Sequence, residues 1–126
     1  MKLMIVDDSL AIRRKIERCV KASGDVSILT AVNGRDAIDL FKTEMPDMVT
    51  MDLTMPELGG VECIKVLADL NPSVHILVIS ALSDKATALT AIKNGAEGFL
   101  KKPFTDAALN IALTELLDTE LTRHDD

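Results

Sequence analysis

The sequence predicts an α/β fold in which a five-stranded parallel sheet carries helices on both faces. Short apolar runs alternate with segments of helical periodicity from one end of the chain to the other, which indicates five strands and five helices. The run over residues 74–79 is almost continuously apolar, as expected of a parallel strand that is covered on both faces. Right-handed crossovers then bring the carboxyl ends of the strands to one rim of the sheet.

Each predicted strand is a short apolar segment bounded by residues that favour turns. Polar and apolar side chains alternate more in the second segment than in the others, so we expect it at an edge of the sheet. The five predicted strands, in chain order, cover residues 3–6, 26–32, 48–51, 74–79 and 98–101.

The predicted helices have suitable residues at their starts and apolar residues at helical spacing. The residues that open them, in chain order, are Ser9, Asn33, Gly59, Ser83 or Asp84, and Thr105. Helix ends are expected near Gly24, at Asn71 and near Gly95. The side chains expected to face the core are Ile12, Ile16, Cys19, Val20, Ala37, Ile38, Phe41, Ile64, Leu67, Ala68, Ala88, Ala91, Ile92, Leu109, Ala112, Leu113, Leu116 and Leu117.

The chain of 126 residues is long enough for one core and too short for two domains of usual size. We expect one domain over residues 1–121 and a polar tail over residues 122–126. No apolar run approaches the length of a membrane span and no signal peptide is seen, so we expect a cytoplasmic protein without membrane insertion. Cys19 and Cys63 are then expected to be small buried hydrophobic residues in a reducing compartment.

Charge and aromatic content argue against several partners. The net charge of −6 repels a phosphate-coated partner, so nucleic acid is not expected to bind. Trp and Tyr are absent and only three Phe are present, so platforms for stacking bases or a flavin are nearly missing.

Five residues with useful chemistry stand where predicted strands end. Asp7 and Asp8 close the first strand, and Asp52 closes the third. Ser80 closes the fourth, and Lys102 follows the fifth. The predicted topology brings all of these residues to one rim of the sheet.

Three carboxylates at one rim repel each other and require a cation. Oxygen ligands alone favour a hard ion such as Mg²⁺. Ser80 and Lys102 add donors without negative charge, which describes a pocket for a phosphoryl group carried by Asp52. Taken singly, each residue is more often a turn, a cap or a solvated charge; only their joint placement is specific.

Four stretches of sequence carry a family resemblance, namely residues 5–9, 50–56, 80–81 and 102–104. With these stretches in order, the chain resembles the receiver domains of two-component response regulators over nearly its whole length. The resemblance is greatest to stand-alone chemotaxis regulators of the CheY type. It implies a doubly wound, flavodoxin-like (βα)5 fold with strand order 2-1-3-4-5.

The resemblance assigns roles to the strand-end residues. Asp52 accepts the phosphoryl group. Asp8 and Asp52 bind Mg²⁺ directly, Asp7 binds it mostly through water, and the backbone carbonyl of Thr54 completes the protein ligands. Mn²⁺ is expected to substitute for Mg²⁺. Lys102 holds phosphoryl oxygens.

Members of the family also catalyse their own phosphorylation and dephosphorylation, without being conventional enzymes. Thr54 and Leu82 flank the approach of the hydrolytic water and should tune its rate. Ser80 also holds the phosphoryl oxygens, and its movement lets the switch aromatic, Phe99, turn inward. The surface of the fourth helix, fifth strand and fifth helix (about residues 84–117) then changes.

Two residues depart from common family choices. Phe99 stands where many relatives carry Tyr, so it has no hydroxyl, and part of its role is plain core packing. Ser80 stands where Thr is also common, and its greater rotamer freedom can loosen the coupling between site and surface.

Three other classes of protein fit less well. A flavin carrier shares the fold but needs a phosphate loop where this chain has Asp7 and Asp8. A haloacid-dehalogenase-like phosphatase needs an acid two residues after its nucleophile, whereas Thr54 stands there. A degenerate receiver that acts as a binding module without phosphorylation is an alternative, but such domains usually lack a key residue and all of them are present here.

The output implied by the resemblance is a partner protein. A sensor histidine kinase donates the phosphoryl group, a phosphatase is a further possible partner, and the protein is expected to be a monomer. Chemotaxis control through a flagellar motor switch is the first interpretation. The alternative is a phosphorelay intermediate or phosphate sink. The basic first helix is either a kinase interface or a solvated face.

Overall fold

A five-stranded parallel sheet in the order β2-β1-β3-β4-β5 forms the centre of the protein. The computed structural model describes residues 1–22, 24–55, 58–81 and 85–124, and side chains as far as residue 116. The strands are β1 (Lys2–Val6), β2 (Ser27–Ala31), β3 (Met48–Met51), β4 (His75–Ser80) and β5 (Gly98–Lys101). The predicted doubly wound fold and strand order are confirmed, and β2 lies at a sheet edge as predicted.

Five helices connect the strands. They are α1 (Leu10–Ala22), α2 (Gly34–Glu44), α3 (Gly60–Leu70), α4 (Lys85–Lys93) and α5 (Asp106–His124). The helical backbone of α5 thus includes residues 122–124, which were predicted to belong to the polar tail. The domain boundary after residue 121 stays a prediction. No helix within the described ranges has the length and apolar character needed to cross a membrane.

The sheet separates two hydrophobic cores. On one face, α1 and α5 bury residues such as Ile16 and Leu109 against Ile5 and Leu77 of the sheet. On the other face, α2, α3 and α4 cover a second core that contains Phe41. All residues of β4 are buried, as expected of a parallel strand covered on both faces. Both cysteines are buried, as predicted, and neither forms a disulfide within the described residues.

Side-chain caps begin three of the helices as the sequence predicts. The Ser9 hydroxyl accepts the N–H of Ile12 at 3.3 Å, and the Thr105 hydroxyl accepts the N–H of Ala108 at 3.1 Å. The Asn33 side chain accepts the N–H of Asp36 at 2.8 Å. These bonds satisfy N–H groups that have no partner within their own helix. The predicted start of α4 at Ser83 or Asp84 lies outside the described residues.

One helix face differs from the prediction. Ile92 was expected to face the core, but its side chain is 49% exposed. In α4, only Ala91 is buried among the described residues, so the helix presents a narrower apolar face to the core than its spacing predicts. The side chain of Leu117 lies outside the described part of α5. Strand β4 is displaced by one residue from the prediction, so Ser80 belongs to the strand.

Gly60 allows α3 to begin against the backbone that follows β3. A Cβ atom at this position would lie 2.4 Å from the backbone oxygen of Asp52 and 2.6 Å from the Cα of Leu53. Real Cβ atoms do not approach backbone atoms so closely, so a side chain here must displace the segment that carries Asp52. The neighbouring Gly59 meets only the flexible end of the Glu62 side chain.

We therefore expect Gly60→Ala to lower the free energy of unfolding by about 1–3 kcal/mol, the usual cost of overpacking. Urea unfolding at equilibrium measures the change. Gly59→Ala is the matched control and should cost less than half as much, because the Glu62 side chain can move away. Equal losses in the two variants would contradict this account of Gly60.

Candidate functional site

Two buried carboxylates lie side by side where β1 and β3 end. Asp7 and Asp52 are 1% and 2% exposed, respectively. The backbone fixes their positions, since the N–H of Asp52 donates to the carbonyl of Val6 at 3.0 Å and the N–H of Asp7 donates to that of Ala31 at 3.1 Å. The two strands are neighbours in the sheet, so the carboxylates cannot separate without breaking strand pairing.

A third carboxylate, that of Asp8, completes an acidic cluster at this rim. Oxygen atoms of Asp7, Asp8 and Asp52 all lie within 4.8 Å of one another. Asp8 is exposed while the other two are buried, so the cluster opens to solvent on one side. Hard oxygen donors gathered in this way suit a divalent cation such as Mg²⁺. The donor set therefore fits the metal that the sequence predicts.

Lys102 places a positive charge between the two buried carboxylates. Its Nζ lies 2.7 Å from Oδ2 of Asp7 and 3.7 Å from Oδ1 of Asp52. The Lys102 side chain is 17% exposed. Its backbone N–H donates to the carbonyl of Ser80 at 2.9 Å, which ties the end of β5 to the end of β4. A single ammonium group thus partly balances two buried negative charges.

The carboxyl group of Asp52 is unfavourable in its charged form. Burial raises the pKa of Asp52 above its ordinary value of 3.8, and the Asp7 carboxylate raises it further. Lys102 and two hydrogen bonds from Thr54 lower the pKa of Asp52 without offsetting these effects. The backbone N–H and the hydroxyl of Thr54 both lie 3.3 Å from Oδ1 of Asp52. A bound cation or an added proton would reduce this unfavourable burial and repulsion of negative charge.

The backbone and carboxylate of Asp7 have partners from α1 and the segment before it. The N–H of Ser9 donates to Oδ1 of Asp7 at 2.9 Å, and Nη1 of Arg13 donates to the backbone oxygen of Asp7 at 2.7 Å. The start of α1 therefore orients Asp7. No role for Arg13 was predicted from the sequence, in which its one signal is its place one helical turn after the Ser9 cap.

Ser80 and Phe99 connect this rim with the second core. Ser80 ends β4 and is fully buried. Phe99 of β5 pairs with Val78, is half-buried, and packs against the core beneath α2, α3 and α4. Because alternate residues of a strand share a face, Ser80 and Val78 project to the same side of the sheet. The predicted coupling between the Ser80 hydroxyl and the Phe99 ring therefore joins two neighbouring strands, β4 and β5.

The structure brings together most of the predicted site residues. Asp7, Asp8, Asp52 and Lys102 converge at one rim, and Thr54 contacts Asp52 through its side chain and N–H. From the sequence, Thr54 was expected to bind metal through its carbonyl and to flank the approach of water, whereas the bond from its hydroxyl to Asp52 was not expected. Leu82 lies outside the described residues.

Comparison with known proteins identifies relatives over most of the chain. A family model described as the response regulator receiver domain matches residues 3–114. Chemotaxis protein CheY of Thermotoga maritima is 36% identical over 115 residues, which cover 91% of this chain and 96% of that protein. Chemotaxis protein CheY of Listeria monocytogenes is 38% identical over 104 residues, which cover 82% and 87%, respectively.

A solved structure shows the same architecture. A chain in the crystal structure of the CheX–CheY–BeF3–Mg²⁺ complex from Borrelia burgdorferi matches this chain with a TM-score of 0.89 and 26% identity. The match covers 93% of this chain and 89% of that one. The sequence and structural comparisons therefore agree over the residues that form the sheet and its acidic rim.

The raised pKa of Asp52 predicts how this carboxyl group affects stability. The folded protein holds the proton more tightly than the unfolded chain, so the contribution of Asp52 to stability falls as pH rises above 3.8. Without divalent cations at pH 7.5, Asp52→Asn should raise the free energy of unfolding by about 0.5–2 kcal/mol, the usual range for a stabilising substitution. The gain should shrink as the pH approaches 3.8.

Urea unfolding in EDTA at pH 4.5 and pH 7.5 measures this difference. Asp69→Asn, at an exposed position of α3, is the control and should change stability little at either pH. If Asp52→Asn is less stable than the wild type at pH 7.5, the charged Asp52 carboxylate does not destabilise the folded protein, and the prediction is wrong.

Proposed function

Because the chain belongs to the response regulator receiver domain family, we propose that it is a phosphorylation switch whose acceptor is Asp52. The main support is the surroundings of this carboxylate. Asp52 is buried, oxygens of Asp7 and Asp8 lie within 4.8 Å, and the Lys102 ammonium lies 3.7 Å away. This arrangement offers a nucleophile, a cation site and a positive donor at one rim of the sheet.

The reaction transfers a phosphoryl group from a phosphohistidine of a sensor kinase. A carboxylate oxygen of Asp52 attacks phosphorus, so that a P–O bond forms while the P–N bond breaks. The bonding electron pair stays on the histidine nitrogen, which takes a proton from solvent. The product is an acyl phosphate on Asp52.

The residues around Asp52 accommodate the added negative charge. Asp8, Asp52 and the Thr54 carbonyl would hold Mg²⁺ directly and Asp7 mostly through water, and the bound cation, or Mn²⁺ in its place, would supply positive charge beside the phosphoryl oxygens. Lys102 already lies near Oδ1 of Asp52, so its ammonium needs only a short movement to donate to a phosphoryl oxygen.

Hydrolysis returns the site to its starting state. Water attacks phosphorus, the P–O bond to Asp52 breaks, and inorganic phosphate and the free carboxylate result. Thr54 is exposed and contacts Asp52, so its side chain can restrict the approach of water. The same role is proposed for Leu82. Both phosphorylation from a small donor and dephosphorylation are thus carried out by the protein itself.

Phosphorylation is proposed to change the surface formed by α4, β5 and α5. Ser80 donates to a phosphoryl oxygen, and Phe99 turns toward the space that the hydroxyl leaves. Three large apolar side chains on this surface are already exposed, Leu89 by 55%, Ile92 by 49% and Ile111 by 60%. Large exposed apolar side chains on these elements suit a protein partner.

Chemotaxis is the proposed pathway, with a flagellar motor switch as the target and the cytoplasm as the location. Two relatives named as chemotaxis protein CheY align over most of this chain and most of their own length. A structural neighbour named CheY is bound to a second protein, CheX, with BeF3 and Mg²⁺. We propose that this protein likewise has a protein partner such as a phosphatase, and that it acts as a monomer.

Incubation with acetyl phosphate tests the acceptor. The wild type should gain one phosphoryl group in the presence of Mg²⁺ and none in EDTA, as measured by intact-mass spectrometry. Asp52→Asn should gain none, because it lacks the nucleophilic oxygen. Asp47→Asn, at the opposite end of β3, is the control and should label like the wild type. Full labelling of Asp52→Asn would disprove the assignment.

Lys102→Ala tests the role of the ammonium. The initial rate of labelling should fall about tenfold or more, because a hydrogen bond to a charged group contributes about 1.5–3 kcal/mol. The affinity for Mg²⁺, measured by calorimetry, should be equal to or above that of the wild type, since the ammonium no longer competes for Asp7.

The exposed neighbour Lys101 supplies the matched control. Lys101→Ala should keep the wild-type rate and Mg²⁺ affinity. Equal rates for Lys102→Ala and the wild type would refute the function assigned to Lys102.

A further inference from the structure

A buried histidine at the sheet end opposite the acidic rim pairs with a glutamate. Nδ1 of His75 lies 2.9 Å from Oε1 of Glu97. The side chain of His75 is 3% exposed and that of Glu97 is 21% exposed. His75 begins β4, and Glu97 directly precedes β5. The pair therefore joins the beginnings of two neighbouring strands.

His75 is a rigid point of attachment. Its backbone N–H donates to the carbonyl of Asp47 at 3.1 Å, which ties it to the segment before β3. The rest of β4 is buried, so this end of the strand has little freedom to move.

The segment that carries Glu97 links α4 and β5, two parts of the proposed output surface. The backbone N–H of Glu97 donates to the carbonyl of Ile76 at 2.8 Å, at the start of β5. The preceding residue, Ala96, donates to the carbonyl of Ala91 in α4 at 3.0 Å. Gly95 makes the turn between them with a positive φ of 130°, and a Cβ there would lie 2.7 Å from that of Ala68. The turn has little room to shift.

Strand β5 is thus held at both ends by charged side chains. It is an edge strand, paired only with β4. Lys102 attaches its carboxyl end to Asp7 and Asp52, and Glu97 attaches its amino end to His75. Phe99 lies between these attachments. In the proposed mechanism, the phosphoryl group forms beside Ser80 and the Lys102 end of β5.

We infer that the His75–Glu97 pair is a latch that positions β5, so that the movement of Ser80 and Lys102 toward the phosphoryl group rotates Phe99 instead of shifting the whole edge strand. This inference rests on the proposed function of Asp52 and Phe99. Backbone bonds of Ala96 and Glu97 already hold the amino end of β5, and the side-chain pair adds resistance to small shifts of this edge strand. Deformation is then concentrated between the two attachments, where Phe99 lies. His75 and Glu97 are positioning residues, because neither touches the acidic rim.

Fluorine NMR can follow Phe99 directly, because the chain contains only three phenylalanines. The protein is labelled with 4-fluorophenylalanine, and Phe99→Leu assigns the signal. The shift of the Phe99 signal is measured between Mg²⁺ alone and Mg²⁺ with beryllofluoride. Intact mass after acetyl phosphate treatment reports acceptor chemistry for the same variants.

The latch predicts that Glu97→Ala reduces the Phe99 shift change at least twofold while labelling stays at the wild-type level. Glu97→Gln retains a hydrogen-bonding group for the imidazole and should restore most of the change. Glu97→Asp, with a shorter side chain, gives an intermediate reduction and carries the test if Glu97→Ala does not fold. Glu44→Ala is the control, since it removes the ion pair with Lys2 at the same sheet end without touching β5.

The outcomes separate the latch from the function on which it rests. If the Phe99 signal of the wild type does not move, the latch and the proposed role of Phe99 are both overturned. A wild-type change that persists undiminished in Glu97→Ala and Glu97→Asp overturns the latch alone. Loss of labelling in these variants also overturns it, because the effect would then arise at Asp52. If Glu44→Ala reduces the change in the Phe99 shift as much as Glu97→Ala does, the effect comes from a general loss of stability and the latch is overturned.

Discussion

Two carboxylates buried side by side are the constraint on which the rest of the site depends. Asp7 and Asp52 cannot separate, because their backbones belong to the ends of neighbouring strands. Water cannot reach them freely to screen their repulsion. One ammonium group, from Lys102, offsets part of the charge. The repulsion that remains favours the binding of a cation at this rim. It also means that a change in the charge of Asp52 alters its interactions with Asp7 and Lys102.

Rigidity is distributed unevenly around this constraint. The inner strands β1 and β3 carry the carboxylates, and the start of α3 packs so closely behind Asp52 that only glycine fits at position 60. The edge strand β5 carries Lys102 and Phe99 and has one hydrogen-bonded neighbour. A signal that begins at the rigid centre can therefore be expressed at the edge, where the cost of moving a side chain is lower.

The fold followed from patterns that are local in sequence. A continuous apolar run predicted the buried strand β4, and polar residues at strand ends predicted the rim, because parallel strands all terminate on the same side. The helix starts at Ser9, Asn33 and Thr105 followed from capping chemistry. Ile92 was predicted wrongly, because helical spacing shows which residues share a face but not how wide the covered part of that face is.

The sequence by itself determined the kind of fold and the residues that meet at the rim, since both depend on periodicity and on the order of elements. Only the tertiary structure decided how those residues pair. Lys102 lies 95 residues from Asp7, and Glu97 lies 22 residues from His75, so neither pair has a local signal. The Thr54 hydroxyl and the Arg13 guanidinium found their partners through rotamers that the surrounding packing selects. Such contacts depend on distances between strands and helices, which a one-dimensional pattern does not contain.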